Sequence, residues 1–189
     1  PVTTLLKAFG YNTEDLLNYF YAKERVVIEG RRAFKLFNEE QLKGQRASRD
    51  VVDPTTGEVL VKKGRMFTQR AIKQMKTANM ASIPIGPEEL LSKVFAVAIP
   101  DPKTGEVLIH CNEEIDEEAL AKLKNAGINE FDILHIDGVS SSDSVRKTLH
   151  LDKVASKEEA LIEIYRLMRP GNPATPEVAQ EFMDHLFFK

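Results

Sequence analysis

The stretch ALIEIYRLMRPGNPATPEVAQEFMDHLFF, residues 160–188, predicts two amphipathic helices joined by a rigid elbow. Ser156 precedes it as a helix N-cap, and Glu159 three residues later completes a capping box. Pro170 and Gly171 end the first helix, because proline lacks an N–H and disfavours helical geometry in the residue before it. The apolar stripe predicted for this first helix consists of Ala160, Leu161, Ile164, Tyr165 and Met168.

A second helix restarts beyond the elbow. Thr175 is a suitable N-cap, and Pro176 suits the first helical position, where its missing N–H costs nothing. Helical spacing then predicts that one face of this helix packs into the core. The residues predicted for that face are Val178, Phe182, Leu186 and Phe187.

Both ends of the chain carry a family resemblance. EIYRLMRPGNPATPE and the later HLFF resemble the "EIYRxMRPGxPPT" elbow and "LFF" helix end in the lobe of the bacterial RNA polymerase β subunit. Independently, PVTTLLKAFGYNTEDLLNYFY, from Pro1 to Tyr21, is similar to the family's "LPxTxLLRALGYTTEQILxLFF" stretch. Asn172 and Ala174 depart from the family's usual acidic residue and second proline, which loosens the turn slightly.

Composition sets the class of protein. The chain has 189 residues, with 42% hydrophobic and 29% charged residues, enough for one large domain or two small ones. A net charge of −3 argues against binding nucleic acid through bulk charge. No apolar run approaches a membrane span and no signal peptide is visible, so we expect no membrane partner. The single cysteine, Cys111, excludes an internal disulfide and fits a reducing cytosol. The apolar end at Phe187–Phe188 predicts a cut through a larger protein.

An internal repeat occupies the middle of the chain. DPTTGEVL at 53–60 recurs as DPKTGEVL at 101–108, a spacing of 48 residues. A fixed period of this size indicates a duplicated supersecondary unit, here a strand, a DPxTGE turn, a strand, a helix and a strand. We therefore predict two ββαβ units, near 47–90 and 95–138, which pack together because each alone has too small a core.

The predicted fold class is α+β. A discontinuous helical lobe part, 1–24 and 146–189, flanks an insertion at 25–145 that contains the tandem repeat. Residues 139–152 are serine-rich and then alternate in polarity, which predicts a connecting segment back to the helical layer. The resemblance implies the same arrangement, because the family's lobe carries a lineage-specific insertion at this place.

Catalytic and metal-binding chemistry finds little support. The acidic run from Glu113 to Glu118 is typical of a solvated helix start, where negative charge favours the helix dipole. His110 and Cys111 lack the close ligand spacing of a zinc site. No phosphate-binding glycine loop is present either. We expect no catalytic residue, no metal and no cofactor in this chain.

Arg166 and Arg169 are the candidate DNA-binding residues. They lie three apart on the last turn of the first C-terminal helix, which predicts that both share nearly one face. Their cations could equally serve only to satisfy the helix C-terminus. The resemblance implies that the arginine before the elbow, Arg169 here, faces downstream DNA along the main cleft.

A second basic cluster lies in the first repeat, whereas the second repeat is acidic at equivalent positions. This asymmetry predicts a docking face for acidic regulators or for DNA, or else salt pairing between the repeats. The candidate docking residues are Lys62, Lys63, Arg65, Arg70 and Lys73, with Lys76 beside them.

The resemblance implies a role in transcription, as a part of DNA-directed RNA polymerase, a nucleotidyltransferase whose catalysis resides elsewhere. Its implied partners are the α, β′ and ω subunits, the σ factor, downstream DNA and accessory transcription factors, in the bacterial cytoplasm at the nucleoid. The alternative is an autonomous protein–protein interaction module without a DNA role.

Overall fold

The fold, described for residues 1–138 and 141–188 in a computed structural model, divides into two units. The helices are α1 Val2–Ala8, α2 Thr13–Phe20, α3 Glu39–Leu42, α4 Gln69–Thr77, α5 Pro87–Leu90, α6 Glu117–Asn125, α7 Ser144–Leu151, α8 Lys157–Met168 and α9 Pro176–Phe187. The strands are β1 Lys23–Glu29, β2 Arg32–Leu36, β3 Val51–Val52, β4 Val59–Val61, β5 Ser82–Ile85, β6 Ile99–Pro100, β7 Val107–Ile109 and β8 Glu130–Leu134.

The helical unit contains Pro1–Phe20 and the residues from Ser142 onward, and the other unit is Tyr21–Ser141. Both boundaries fall slightly before the predicted ones, because β1 already begins at Lys23 and α7 at Ser144. The later part of the predicted connecting segment, 139–152, forms helix α7. Leu149 and Arg146 are buried one helical turn apart on α7, a spacing that belongs to a helix and not to an alternating strand. Val139 and Ser140 lie outside the described residues.

Side-chain caps fix the two C-terminal helices where the sequence predicts them. The Ser156 hydroxyl accepts the Glu159 N–H at 3.2 Å, and the Glu159 carboxylate accepts the Ala155 N–H at 2.8 Å. The Thr175 hydroxyl accepts the Val178 N–H at 3.4 Å. Each cap satisfies a backbone donor that the first helical turn leaves open.

The buried face of α9 differs from the predicted one. Ala179 and Met183 are buried, and Phe182 is half-buried. Val178, Leu186 and Phe187 are instead exposed, with 41%, 50% and 47% of their surface accessible. The physical reason is packing distance: α9 packs on α8, where Ala160 is also fully buried, and small side chains let two helices approach closely.

Both chain ends contribute to the core of the helical unit. Helix α1 packs on α8, and α2 packs on α7. Phe20 is 45% exposed, whereas Leu16 and Leu17 on the same helix are buried. The core that joins α1, α8 and α9 consists of Ala8, Ala160, Leu161, Tyr165, Ala179 and Met183.

A buried ion pair also joins α1 to the end of α7. The Lys7 ammonium lies 3.3 Å from the Asp152 carboxylate and donates to the Val154 carbonyl at 2.5 Å. The Thr3 hydroxyl donates to Asp152 at 2.8 Å. Sequence inspection missed this contact, because a lysine near a helix end is usually solvated.

The other unit is built around an antiparallel sheet with strand order β5-β2-β1-β8. Two short hairpins, β3–β4 and β6–β7, lie outside this sheet. The turn from β1 to β2 needs a positive φ, and Gly30 adopts 63° there. Overall the chain is a mixed α and β structure with small sheets, consistent with the predicted α+β class.

The 48-residue spacing extends through the local structure. Helices α4 and α6 begin and end 48 positions apart, and their N-caps are Thr68 and Asp116. Four pairs of residues with positive φ follow the same spacing: Gly44 and Ser92, Gly57 and Gly105, Gly64 and Asn112, Asn79 and Gly127. The sheet partners differ, because β5 pairs with β2 whereas β8 pairs with β1. Superposition of 47–90 on 95–138 therefore stays a prediction.

Candidate nucleic-acid interface and docking surface

Arg169 lies at the end of α8, where the backbone leaves the helix. Its φ and ψ are −132° and 64°, and its N–H donates to the Tyr165 carbonyl at 2.8 Å. The elbow continues through Gly171, at a φ of 87°, and the Asn172 N–H donates back to the Arg169 carbonyl at 3.3 Å. The local chain thus fixes the backbone of Arg169 while its side chain stays exposed.

Aromatic rings lie beneath the Arg169 side chain. Its guanidinium carbon is 5.8 Å from the centroid of the Phe182 ring. The Phe182 ring meets the Tyr165 ring edge-to-face, with centroids 5.6 Å apart and an interplanar angle of 86°. Tyr165 is buried. An exposed cation is therefore stacked on a ring that a buried ring supports.

The structure separates Arg166 from Arg169, so the predicted shared face is wrong. Arg166 is still helical and lines a groove with Leu5, Ile162 and Leu167. Arg169 lines a different groove, which contains Phe182. The reason is that α8 ends at Met168, so helical periodicity no longer governs the position of Arg169. Both arginines are exposed.

The candidate docking residues are all exposed but do not form one patch. Arg70 and Lys73, on α4, line a groove of about 720 Å³ together with Asp53 and Glu58. The pKa of Asp53 is held below its ordinary value, chiefly by the N–H of Thr55 that its carboxylate accepts. These carboxylates offset the positive charge of the groove.

Lys63 lines another groove, of about 910 Å³, beside the edge strand β5. Its ammonium lies 3.5 Å from the Glu88 carboxylate, which also pairs with Arg49 at 3.3 Å. Three further cations line the same groove as Lys63, and the sequence did not reveal this because they are distant from it along the chain. Those cations are Arg31, Arg32 and Arg49.

Salt pairing between the repeats is not what the structure shows. The ammonium of Lys76 pairs with Glu39 at 3.2 Å, and that of Lys63 pairs with Glu88. Neither carboxylate belongs to the second predicted unit, 95–138. Among residues 1–138 and 141–188, the ion pairs include no partner for Lys62 or Arg65. These two cations stay available for an acidic partner.

A buried charge network inside the sheet unit was also missed. The Lys35 ammonium lies 3.2 Å from Glu24 and 3.0 Å from Glu89, and donates to Gln45 at 2.9 Å. The ring of His135 hydrogen-bonds to Glu24 through Nδ1. The alternation of side chains along a strand could have revealed this network. Glu24 shares the inward face of β1 with Val26, and Lys35 shares the inward face of β2 with Ala33.

The network determines the ionisation of Glu24. Burial by itself raises the pKa of its carboxyl. The hydrogen bond with His135 and the charge of Lys35 outweigh burial, so the pKa of Glu24 lies below its ordinary value. A buried carboxylate therefore stays charged because its neighbours satisfy it, and the network acts as a structural tie between β1, β2 and β8.

The described residues form neither a metal-ligand cluster nor a helix that could span a membrane. No three histidine, cysteine, aspartate or glutamate side chains there converge as a metal-ligand set would. In the same part of the chain, no helix combines the length and apolar character that crossing a bilayer needs. The described residues present exposed arginine and lysine side chains, a feature common in proteins that bind anionic partners.

The similarity to known proteins agrees with that class. No protein-family model matches the chain. Over its whole length it is 59% identical to the DNA-directed RNA polymerase subunit beta of Desulforapulum autotrophicum and 51% identical to that of Desulfosudis oleivorans. That of Bdellovibrio bacteriovorus is 51% identical over 188 residues. The chain spans 13–14% of the length of these relatives. It belongs to the bacterial DNA-directed RNA polymerase β subunit family, of which it represents a segment.

Proposed function

We propose that this chain is the lobe part of an RNA polymerase β subunit and forms a wall beside downstream DNA. The similarity to β subunits over the whole chain carries this proposal. The exposed guanidinium of Arg169 at the elbow supports it, because a phosphate contact needs a cation held in place. Arg166, in the neighbouring groove, is a second candidate for DNA contact.

In the assembled enzyme the chain works with the α, β′ and ω subunits and the σ factor, in the bacterial cytoplasm at the nucleoid. The whole assembly is a nucleotidyltransferase, and this segment supplies binding surface without a catalytic residue or cofactor. Preorganised surfaces of this kind act by positioning the nucleic acid and not by reacting with it.

The sheet unit is the lineage-specific insertion, and its role is to dock accessory transcription factors. The predicted bounds of the insertion are 25–145, where the compact sheet unit is Tyr21–Ser141. Its two ββαβ units, 47–90 and 95–138, are copies of one ancestral unit. Lys62 and Arg65 are exposed cations of the first copy, and the ion pairs of residues 1–138 and 141–188 include neither of them. Complementary charge at such a surface favours fast and selective association with acidic partners.

Site-specific crosslinking in the complete polymerase tests the DNA role. A photo-crosslinking amino acid at position 169 should capture downstream DNA in a promoter complex. The matched control is position 19. Tyr19 is also highly exposed, but it lies on a different helix, α2, which packs against α7. Equal DNA crosslinking at both positions, or none at 169, would contradict the lobe-wall proposal. An accessory factor captured without DNA would favour the autonomous interaction module.

A further inference from the structure

We infer that Phe182 is a positioning residue for Arg169, and that Tyr165 fixes Phe182 in turn. This inference rests on the proposed contact between Arg169 and DNA. It adds that the contact depends on a stack of three side chains, from α8, α9 and the elbow between them, and not on the arginine alone. The ligand chemistry of the stack is a phosphate group of the DNA backbone.

The geometry gives each side chain a separate task. Tyr165 is buried in the α1, α8 and α9 core, so its ring has a fixed position. Phe182 meets that ring edge-to-face at 5.6 Å, an arrangement that favours one ring orientation. The guanidinium of Arg169 lies over the Phe182 ring, with its central carbon 5.8 Å from the ring centroid. The stack therefore restricts a side chain that is otherwise free to rotate.

Restriction matters because a free arginine loses rotamer entropy when it binds. A stacked guanidinium has lost part of that freedom already, and Arg169 is still exposed to solvent. Arg166 provides the internal comparison. It is also exposed and close in sequence, but the aromatic contacts of the described residues include no ring beneath it. We expect Arg169, and not Arg166, to show a coupling with Phe182.

A double-mutant cycle in the complete polymerase tests the inference. The variants are Arg169→Ala, Phe182→Leu, their combination, and Phe182→Tyr as the control that keeps a ring. The readout is promoter-complex decay at several salt concentrations. Arg169→Ala should accelerate decay and lower the salt slope by roughly one unit. Phe182→Leu should accelerate decay roughly two- to fivefold, Phe182→Tyr should match the wild type, and Phe182→Leu should add nothing once Arg169 is absent.

The outcomes separate the two proposals. Unchanged decay and slope in Arg169→Ala would overturn the DNA contact, and the positioning role with it. Faster decay in Arg169→Ala with wild-type decay in Phe182→Leu would overturn only the positioning role. An equal effect of Phe182→Leu with and without Arg169 would assign Phe182 a purely structural part. Loss of function in Phe182→Tyr as large as in Phe182→Leu would have the same meaning.

Discussion

Lys35 shows how one side chain can decide the stability of the sheet unit. Its ammonium is buried between the carboxylates of Glu24 and Glu89. Lys35→Met should therefore leave a buried carboxylate without its cation, at a cost of about 3–5 kcal/mol in the free energy of unfolding. Arg25→Met is the matched control, because Arg25 points to solvent from the next position to Glu24 and pairs with Asp132 at the surface.

Removing that surface pair should cost about 1 kcal/mol or less. Urea unfolding of both variants, followed by circular dichroism, measures the difference. Similar losses in Lys35→Met and Arg25→Met would show that the buried network contributes no more to the free energy of unfolding than the surface pair. At this scale the sequence was least informative, since Lys35 and Glu24 are charged residues that composition alone assigns to the surface.

Helix α9 shows which features of an element could be predicted. Its start at Thr175–Pro176 follows from local backbone chemistry, and the structure confirms it. Its buried face does not, because α9 has apolar residues on two adjacent stripes and the choice depends on the neighbouring helix. The same limit explains Arg169, whose position follows from the elbow and not from helical spacing.

Packing of α9 gives a prediction that distinguishes the two stripes. Ala179→Leu should destabilise the helical unit by about 1–3 kcal/mol, because the added methylenes have no room beside α8. Val178→Leu, one position away on the exposed stripe, should change the free energy of unfolding by less than about 0.5 kcal/mol. Thermal unfolding of the two variants measures the contrast. A larger loss of stability in Val178→Leu would indicate that the predicted face of α9, and not the face with Ala179, is the buried one.

At the scale of the whole molecule, reversing the charge of Lys62 and Arg65 tests the proposed docking surface. Lys62→Glu combined with Arg65→Glu should weaken binding of a fluorescent polyglutamate peptide to the complete polymerase roughly three- to tenfold. The charge-conserving pair Lys62→Arg and Arg65→Lys should bind like the wild type. Fluorescence anisotropy at fixed ionic strength gives both values. Equal binding by the reversed and conserved pairs would remove these residues from the docking surface.

Acid should destabilise both units, because each contains a buried, charge-paired carboxylate. For Glu24 and for Asp152, burial raises the pKa, but hydrogen bonds and a nearby lysine outweigh it and hold the pKa below the ordinary 4.5 and 3.8. The unfolded chain then binds more protons than the folded chain, so stability rises with pH within this window. The contribution is complete above about pH 4.5 and is lost as pH falls through the lowered folded values. Urea unfolding from pH 6 down to about pH 3 should show this decline, and Glu24→Gln should flatten it. An unchanged slope in Glu24→Gln would mean that other carboxylates control the acid response.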